Sequence, residues 1–314
     1  MSQPIKGEFY NKSIISIDQF DKEDILTVFK QTSDFKHGIE KGIVYEDLKG
    51  KLLTALFYEP SSRTFGSHIA AMQRLGGKII PIQGVSFSSV VKGETLEDTI
   101  QVFASYSDII AIRHSEQGAA ERAARVSSVP IINAGDGVGE HPTQALLDLF
   151  TINDRLGRME QLHVAMVGDL KYGRTVHSLS KLLSLFPDIT LSFISPEASP
   201  MPAEIVALLK KRGVKIKTPK AMEEIIEEVD VLYMTRVQKE RMEESLYNKV
   251  KGIYVLTGEL SEKMKKDSII MHPLPRIGEI TTDVDKNPRS AYLTHQMRNG
   301  MFVRMALLKL VLSK

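Results

Sequence analysis

The chain has 314 residues, 42% of them apolar and 25% charged, and its 41 basic and 39 acidic residues leave a formal charge of only +2. That length accommodates two domains with cores of their own, and the mixed charges offer neither a nucleic-acid stripe nor a polybasic membrane patch. The absence of cysteine excludes disulfides, thiolate nucleophiles and cysteine-ligated zinc or iron–sulfur sites, and none of the eight histidines has the spacing that puts two metal ligands on one helix face.

Residues 1–8 lack the apolar core of a signal peptide and no later run reaches the length of a membrane span, so a cytoplasmic location is expected. A helix is predicted over 21–41. Short apolar strands then alternate with amphipathic helices: strands at 52–57, 78–82, 108–112 and 129–133, helices at 65–75, 95–106, 117–127 and 142–156. The scheme repeats with strands at 162–167, 189–194, 214–217, 230–235, 253–256 and 268–272. Helices are predicted between them at 174–186, 202–212, 220–228, 239–250 and 260–265. Such alternation implies an α/β chain of two doubly wound parallel-sheet domains, joined near 142–160. A final helix over 290–312 is expected to pack back on the first domain. The stretch 83–93, rich in Ser, Val and Gly, is a loop of the length that is usually functional.

Open α/β sheets bind ligands beyond the carboxyl ends of their strands, so the residues that follow each strand carry the functional information. After 52–57 come Ser61, Ser62, Arg63 and Thr64, and then a helix. Strand, polar turn and helix N-terminus form an anion site, because the first helical N–H groups have no partner within the helix and Arg63 can grip a phosphate through two bonds. An ordinary helix cap with a solvent-facing Arg fits this one turn equally well. The design recurs, however: Arg113-His114, 134–144, 168–175, Arg236-Val237-Gln238 and 273–276 follow later strands, and arginine stands at five of the six exits. Two exits imitate better-known loops. The stretch 168–175 matches G-x4-G-K-[ST] except that Arg174 replaces the lysine, and Gly135-x-Gly137-x-Gly139 has Glu140 where a dinucleotide fingerprint needs a third glycine. Neither supports a nucleotide cofactor. His141-Pro142-Thr143-Gln144 places Pro142 at a first helical position and His141 at its cap.

Together these stretches resemble the aspartate-specific catalytic chains of the aspartate/ornithine carbamoyltransferase family, over nearly the whole sequence. Phe57-x-Glu59-x-Ser61-Ser62-Arg63-Thr64 resembles the carbamoyl-phosphate signature. Lys92-Gly93-Glu94-Thr95, Arg113-His114, 139–144, 168–175, Arg236-Val237-Gln238 and His272-Pro273-Leu274-Pro275 match in order. Ser62 departs from the family's Thr or Gly but keeps a hydroxyl and a backbone donor. Phe65-Gly66-Ser67-His68 lacks the second Arg and the Ser-Phe-Glu run of many bacterial members.

The resemblance implies a carbamoyl-phosphate-binding domain over 1–142 with the last helix, 297–314, and an aspartate-binding domain over 143–296. It implies that Ser61, Ser62, Arg63 and Thr64 hold the phosphate and that Thr64, Arg113 and His141 point at the carbonyl oxygen. Gln144 would bind the carbamoyl amide. Arg174, Arg236 and Gln238 would hold the aspartate carboxylates, and Leu274 and Pro275 would offer backbone carbonyls, with a cis bond between them. Lys92 and Ser88 would reach the site of a neighbouring chain in a homotrimer, and Glu59 would pair with Arg174 and Arg241. No cofactor, metal, nucleic acid or membrane is implied, and regulatory chains are left open. The substrates together carry roughly four negative charges, against which Arg63, Arg113, Arg174, Arg236 and Lys92 supply cations. The alternatives are an ornithine or other amino-acid carbamoyltransferase and a non-catalytic scaffold. Ornithine enzymes resemble the chain through the phosphate turn but carry Cys at the position of Pro273, whereas Arg174, Arg236 and Gln238 suit a dicarboxylate.

Overall fold

The computed structural model describes residues 3–84, 92–237 and 243–314. The chain divides into two compact units, one formed by Met1–Leu147 with Arg298–Lys314, the other by Asp148–Met297.

In the first unit, helix α1 (Lys22–Glu40) opens on a reciprocal cap in which Asp21 accepts the N–H of Asp24 and Asp24 accepts that of Asp21. Four parallel strands follow: β1 (Leu52–Phe57), β2 (Lys78–Gln83), β3 (Ile109–His114) and β4 (Ile131–Asp136), in the order β2-β1-β3-β4. Leu53 and Ala55 of β1 are fully buried, whereas β2, with Lys78 and Pro81, is the exposed edge where an interrupted ladder is tolerated. Helices α2 (Ser62–Arg74), α3 (Leu96–Ala104) and α4 (Ala119–Val126) connect the strands. Leu56, Ile100, Ile110, Ile112, Ala123 and Ile131 form one core between sheet and helices, and Phe57, Ala134 and Phe65 form another.

The second unit holds β5 (His163–Val167), β6 (Thr190–Ile194), β7 (Lys215–Lys217), β8 (Val231–Met234) and β9 (Ile269–Met271), all parallel, in the order β7-β6-β5-β8-β9. In both sheets the strand order doubles back on the sequence, which is the doubly wound architecture expected. The core packs Val167, Ile194, Leu232, Met234, Ile270 and Tyr292. Helix α5 (Pro142–Leu156) carries the boundary between the units, and α6 (Arg174–Leu183), α7 (Ala203–Lys211), α8 (Glu244–Val250) and α9 (Gly258–Glu262) belong to the second. The last helix, α10 (His295–Leu312), packs on the first unit. Lys309 pairs with Asp47 and stands 5.8 Å from the Phe35 ring centre, Arg298 reaches Glu40 at 3.4 Å, and Asn11 donates its N–H to Val311.

Several predicted elements need correction. α2 begins at Ser62, three residues early, with β1 already ended at Phe57 and Ser61 in the cap position. β4 runs two to three residues beyond 129–133, since Pro130 has no N–H to donate and the ladder continues through Asn133 to Asp136. The stretch 220–228, predicted to be helical, forms only one 3-10 turn over Met222–Glu224. Four carboxylates at Glu223, Glu224, Glu227 and Glu228 repel at i,i+4, and Glu224 turns back to accept the N–H groups of Lys220 and Ala221. The run 253–256 is not a strand: Ile253 is exposed and only Leu256 bridges, to Ile280. Finally, α10 starts at His295 and not at 290, because Ser290 and Ala291 are bridged to Ile270 of β9. Residues 239–242 of the helix predicted over 239–250 lie outside the described residues. No helix among the described residues is long and apolar enough to cross a membrane.

Candidate active site

With α2 beginning at Ser62, residues 62, 63 and 64 are the first three helical positions, so their N–H groups are among the four that a helix leaves without an internal acceptor. The Ser61 side chain makes no capping bond, which leaves its hydroxyl unused by the helix. Ser62 and Arg63 are exposed, and Thr64 is buried. Six of the ten α-helices among the described residues carry an acid in the first turn, as the helix dipole favours. α2, α5, α6 and α10 carry none, and the first three hold Arg63, Gln144 and Arg174. Arg63 and Arg174 stand against the dipole of their own helices, so each N-terminus concentrates positive potential where an anion would relieve it.

β1 and β3 are in parallel register with Phe57 beside Arg113, and Tyr58 donates its N–H to the Arg113 carbonyl at 2.9 Å. This sets Arg113 one strand away from the exit that leads to α2. Arg113 and His114 are the last residues of β3 itself, not a loop beyond it. The Arg113 side chain is 15% exposed; its Nε lies 3.5 Å from Glu59 Oε2, and its Nη1 donates to the Ala134 carbonyl at 3.4 Å.

The stretch 136–141 presents His141. Asp136 accepts the N–H of Gly118 at 2.9 Å and that of Glu140 at 2.7 Å, while Glu140 accepts the N–H of Ile17 at 2.7 Å. Gly137, at φ +57°, comes so close to Ser115 that a Cβ would lie 2.2 Å from its carbonyl oxygen. The loop is thus pinned to two other segments of the unit, 115–118 and the turn at Ile17. Its end is the buried His141, whose carbonyl accepts the first helical bonds of α5 from Gln144 and Ala145. His141 Nε2 stands 3.5 Å from Thr64 Oγ1, and Nδ1 stands 3.4 Å from Thr143 Oγ1. Gln144 is buried on the same turn.

Two residues to which the sequence assigns no role support this arrangement. His68, one helical turn after Thr64, is fully buried and its Nδ1 lies 2.8 Å from the Thr64 carbonyl. Burial, assisted by the nearby Arg304 charge, lowers its pKa to about 3, so the ring is neutral and donates. Arg304, only 3% exposed on α10, donates to Thr143 Oγ1 at 3.2 Å. The signal for Arg304 was available: a lone charge inside the apolar run of the last helix. For His68 it was the four-residue spacing from Thr64.

In the second unit, β5 ends at Gly168, whose φ of +120° brings the chain against Thr235 at the exit of β8; a Cβ would lie 2.3 Å from the Thr235 carbonyl oxygen. Buried Asp169 accepts the N–H groups of Lys171 and Tyr172 through one oxygen and shapes the turn into α6. Arg174 is the first residue of α6 and is buried. Arg236 lines a cavity of about 260 Å³ with Gly168, Thr235, Tyr247, Lys251 and Glu279. Leu274, at φ +56°, is joined to Pro275 by a cis bond, and its N–H donates to His272 Nδ1 at 2.7 Å. His272 Nε2 donates to Glu279 Oε1 at 2.6 Å. Burial, the largest single influence, would raise the Glu279 carboxyl, but the His272 bond and charge together with backbone N–H donors hold the group below the usual range. Arg276 is spent on the fold: it grips Asp285 with both Nη atoms and meets Tyr292 Oη at 3.1 Å.

The structure thus brings Thr64 and His141 within 3.5 Å of each other, with Gln144 buried on the same turn as His141 and Arg113 one strand from the exit that carries Ser61, Ser62 and Arg63. In the second unit Arg174, Arg236, Leu274 and Pro275 all follow strand ends. Lys92 is exposed in the first unit, beside the stretch 85–91. Ser88, Gln238 and Arg241 lie outside the described residues. Among the described residues no group of three or more His, Asp or Glu could hold a metal ion.

Two family models match the chain: the aspartate/ornithine carbamoyltransferase carbamoyl-P binding domain over residues 12–154, and the Asp/Orn binding domain of the same family over 160–311. The aspartate carbamoyltransferase catalytic subunit of Thermoplasma volcanium is 48% identical, over 96% of this chain and 98% of that protein. The multifunctional protein CAD of Squalus acanthias is 46% identical over 98% of this chain, which spans only 14% of that protein's length. Among solved structures, aspartate transcarbamoylase from Trypanosoma cruzi in complex with carbamoyl phosphate and aspartate superposes with a TM-score of 0.92 at 43% identity, covering 99% of both chains. Agreement of this extent, in both halves of the sequence and in the fold, makes the chain a member of the aspartate/ornithine carbamoyltransferase family.

Proposed function

We propose that the chain transfers the carbamoyl group of carbamoyl phosphate to the amine of L-aspartate, giving N-carbamoyl-L-aspartate and phosphate in de novo pyrimidine biosynthesis. The observation that carries this reading is the pair Thr64–His141: two buried side chains from separate elements, 3.5 Å apart, in the same unit as Arg113. Such a pair, with Arg113 one strand from the exit that carries Thr64, suits a carbonyl oxygen on which negative charge grows.

The amine nitrogen of aspartate attacks the carbamoyl carbon, the bond from that carbon to the bridging phosphate oxygen breaks, and the departing phosphate accepts the proton released by the amine. No nucleophilic side chain is required, so catalysis is positioning plus stabilisation of the oxyanion. Ser61, Ser62, Arg63 and Thr64 hold the phosphate against the N-terminus of α2. Arg113, His141 and Thr64 face the carbonyl oxygen, and Gln144 takes the carbamoyl amide. Arg174, Arg236 and Gln238 hold the two carboxylates, with Leu274 and Pro275 offering carbonyls to both substrates. Lys92 and Ser88 complete the site from a neighbouring chain of a homotrimer. A cytoplasmic location belongs to the same proposal.

The test is direct. Incubation of the pure chain with carbamoyl phosphate and either L-aspartate or L-ornithine should yield carbamoylaspartate and phosphate, and no citrulline. His141→Ala should lower turnover by tens to roughly a thousandfold, on the scale of one lost oxyanion donor. Turnover of ornithine, or of neither acceptor, would overturn the assignment of Arg236 and Gln238. Unchanged turnover in His141→Ala would remove His141 from the mechanism.

A further inference from the structure

A histidine that donates to a carbonyl oxygen must carry its proton on the ring nitrogen facing that oxygen; in the other tautomer it presents a lone pair to a lone pair. The contacts behind His141 bear on which tautomer is held. Thr143 is fully buried, and its Oγ1 meets His141 Nδ1 at 3.4 Å and Arg304 Nη2 at 3.2 Å. Arg304 is itself buried on α10, with Nη1 donating to the Gly300 carbonyl at 2.8 Å. A guanidinium only donates, so Thr143 Oγ1 accepts from Arg304. The hydroxyl has one proton to give. Were it not given to His141 Nδ1, it would be stranded in a site closed to water, the costliest outcome for a buried donor. With that proton directed at Nδ1, Nδ1 is the acceptor, and the N–H of a neutral imidazole sits on Nε2, the atom beside Thr64 Oγ1.

We propose that Arg304, acting through Thr143, is a positioning residue that holds His141 as the Nε2–H tautomer, its donor aimed at the carbonyl oxygen of carbamoyl phosphate. The inference rests on the role of His141 given under the proposed function. Because an arginine stays charged at every working pH, the arrangement does not titrate away. The relay lies within the first unit, whose last segment, Arg298–Lys314, supplies the arginine. α10 therefore contributes to the chemistry from behind, with no substrate contact of its own.

The tautomer can be read without turnover. The full-length chain, labelled with ¹⁵N-histidine, is examined by long-range ¹H–¹⁵N correlation, with His141 assigned by the signal lost in His141→Gln. The expected wild-type spectrum has a protonated, pyrrole-like Nε2 and an unprotonated, pyridine-like Nδ1. Thr143→Val should mix the two tautomers and lower kcat about three- to tenfold with KM for carbamoyl phosphate little changed, as fits the loss of one neutral hydrogen bond, whereas Thr143→Ser should keep both spectrum and rate. A proton on Nδ1 in the wild-type chain overturns the proposal, and this arm needs no variant to fold. So does a Thr143→Val or an Arg304→Met variant that folds and keeps the wild-type spectrum. A chain that shows the Nε2–H pattern yet transfers no carbamoyl group would retire the reaction and leave the tautomer assignment standing.

Discussion

His68 is the side chain through which acid acts most directly on the fold. It is wholly buried, hydrogen-bonded to the carbonyl of Thr64, and its pKa is pushed down to about 3 by burial and by the charge of Arg304. Between that value and the 6.5 of an unfolded histidine, the unfolded chain binds a proton that the native chain refuses. The stabilisation is therefore complete above pH 6.5, declines as pH falls, and is exhausted near pH 3. Within that window the slope from this one group is up to about 1.4 kcal/mol per pH unit. Denaturant titrations of wild type and His68→Phe at several pH values should show the two stability curves converging as pH falls from 7 towards 4. Parallel curves would mean that the ring is protonated, or exposed, in the native state. The sequence advertised Ser61 to Thr64 far more loudly than His68, because first-turn hydroxyls and an arginine form a local pattern. The spacing of His68 from Thr64 is local too, but the neutral state of its ring depends on burial and on an arginine far away in sequence.

At the level of elements, what was legible depended on whether a signal was local. The strands β1, β5 and β6 and the helices α1 and α5 lie close to their predicted bounds, since apolar runs and caps are written in adjacent residues. The errors have mixed causes: tertiary pairing of Ser290 with β9 delays α10, whereas Pro130 shifts β4 and the carboxylates of 223–228 reduce a periodic stretch to a single turn, local features that the apolar period masked. The β4 shift matters for the site, as does the early start of α2, since they turn polar loops into a strand end at Asp136 and a helix start at Ser62. The close approach of β5 and β8 at Gly168 was equally invisible, as it depends on Thr235. Gly168→Ala places a methyl 2.3 Å from the Thr235 carbonyl oxygen in a backbone region unsuited to side chains. Strain and overpacking together should cost about 2–4 kcal/mol. The midpoint of urea unfolding should drop with an unchanged m-value, and the Michaelis constant for aspartate should rise, because Arg236 lines the cavity beside this glycine. A stable variant with native aspartate kinetics would show that the loop yields without consequence.

For the whole molecule, the proposal of shared sites predicts complementation between inactive chains. Arg63→Ala and Lys92→Ala should each be nearly inactive alone. Mixed after dissociation, they should recover activity at about a quarter of the sites, the fraction in which an intact Arg63 meets an intact Lys92 from its neighbour in a randomly assembled ring. No recovery in verified hybrids would mean that each chain completes its own site. The two-unit organisation itself was readable in the sequence because alternating strands and helices occur in two sets. The docking of α10 on the first unit was expected from its position after a turn-rich stretch, and the structure specifies the grip through Asp47, Phe35 and Glu40.

That the first unit is built from both ends of this stretch of sequence has a consequence for how it is made. A ribosome releases every residue of Asp148–Met297 before the last seventeen residues of the first unit, Arg298–Lys314, appear. The second unit can close while translation is still under way, but the first must wait with the α10-facing side of its fold uncovered, even though its strands were synthesised earliest. Birth order and completion order are thus reversed. Nascent chains arrested before residue 298 should expose the first unit to protease while the second is already resistant.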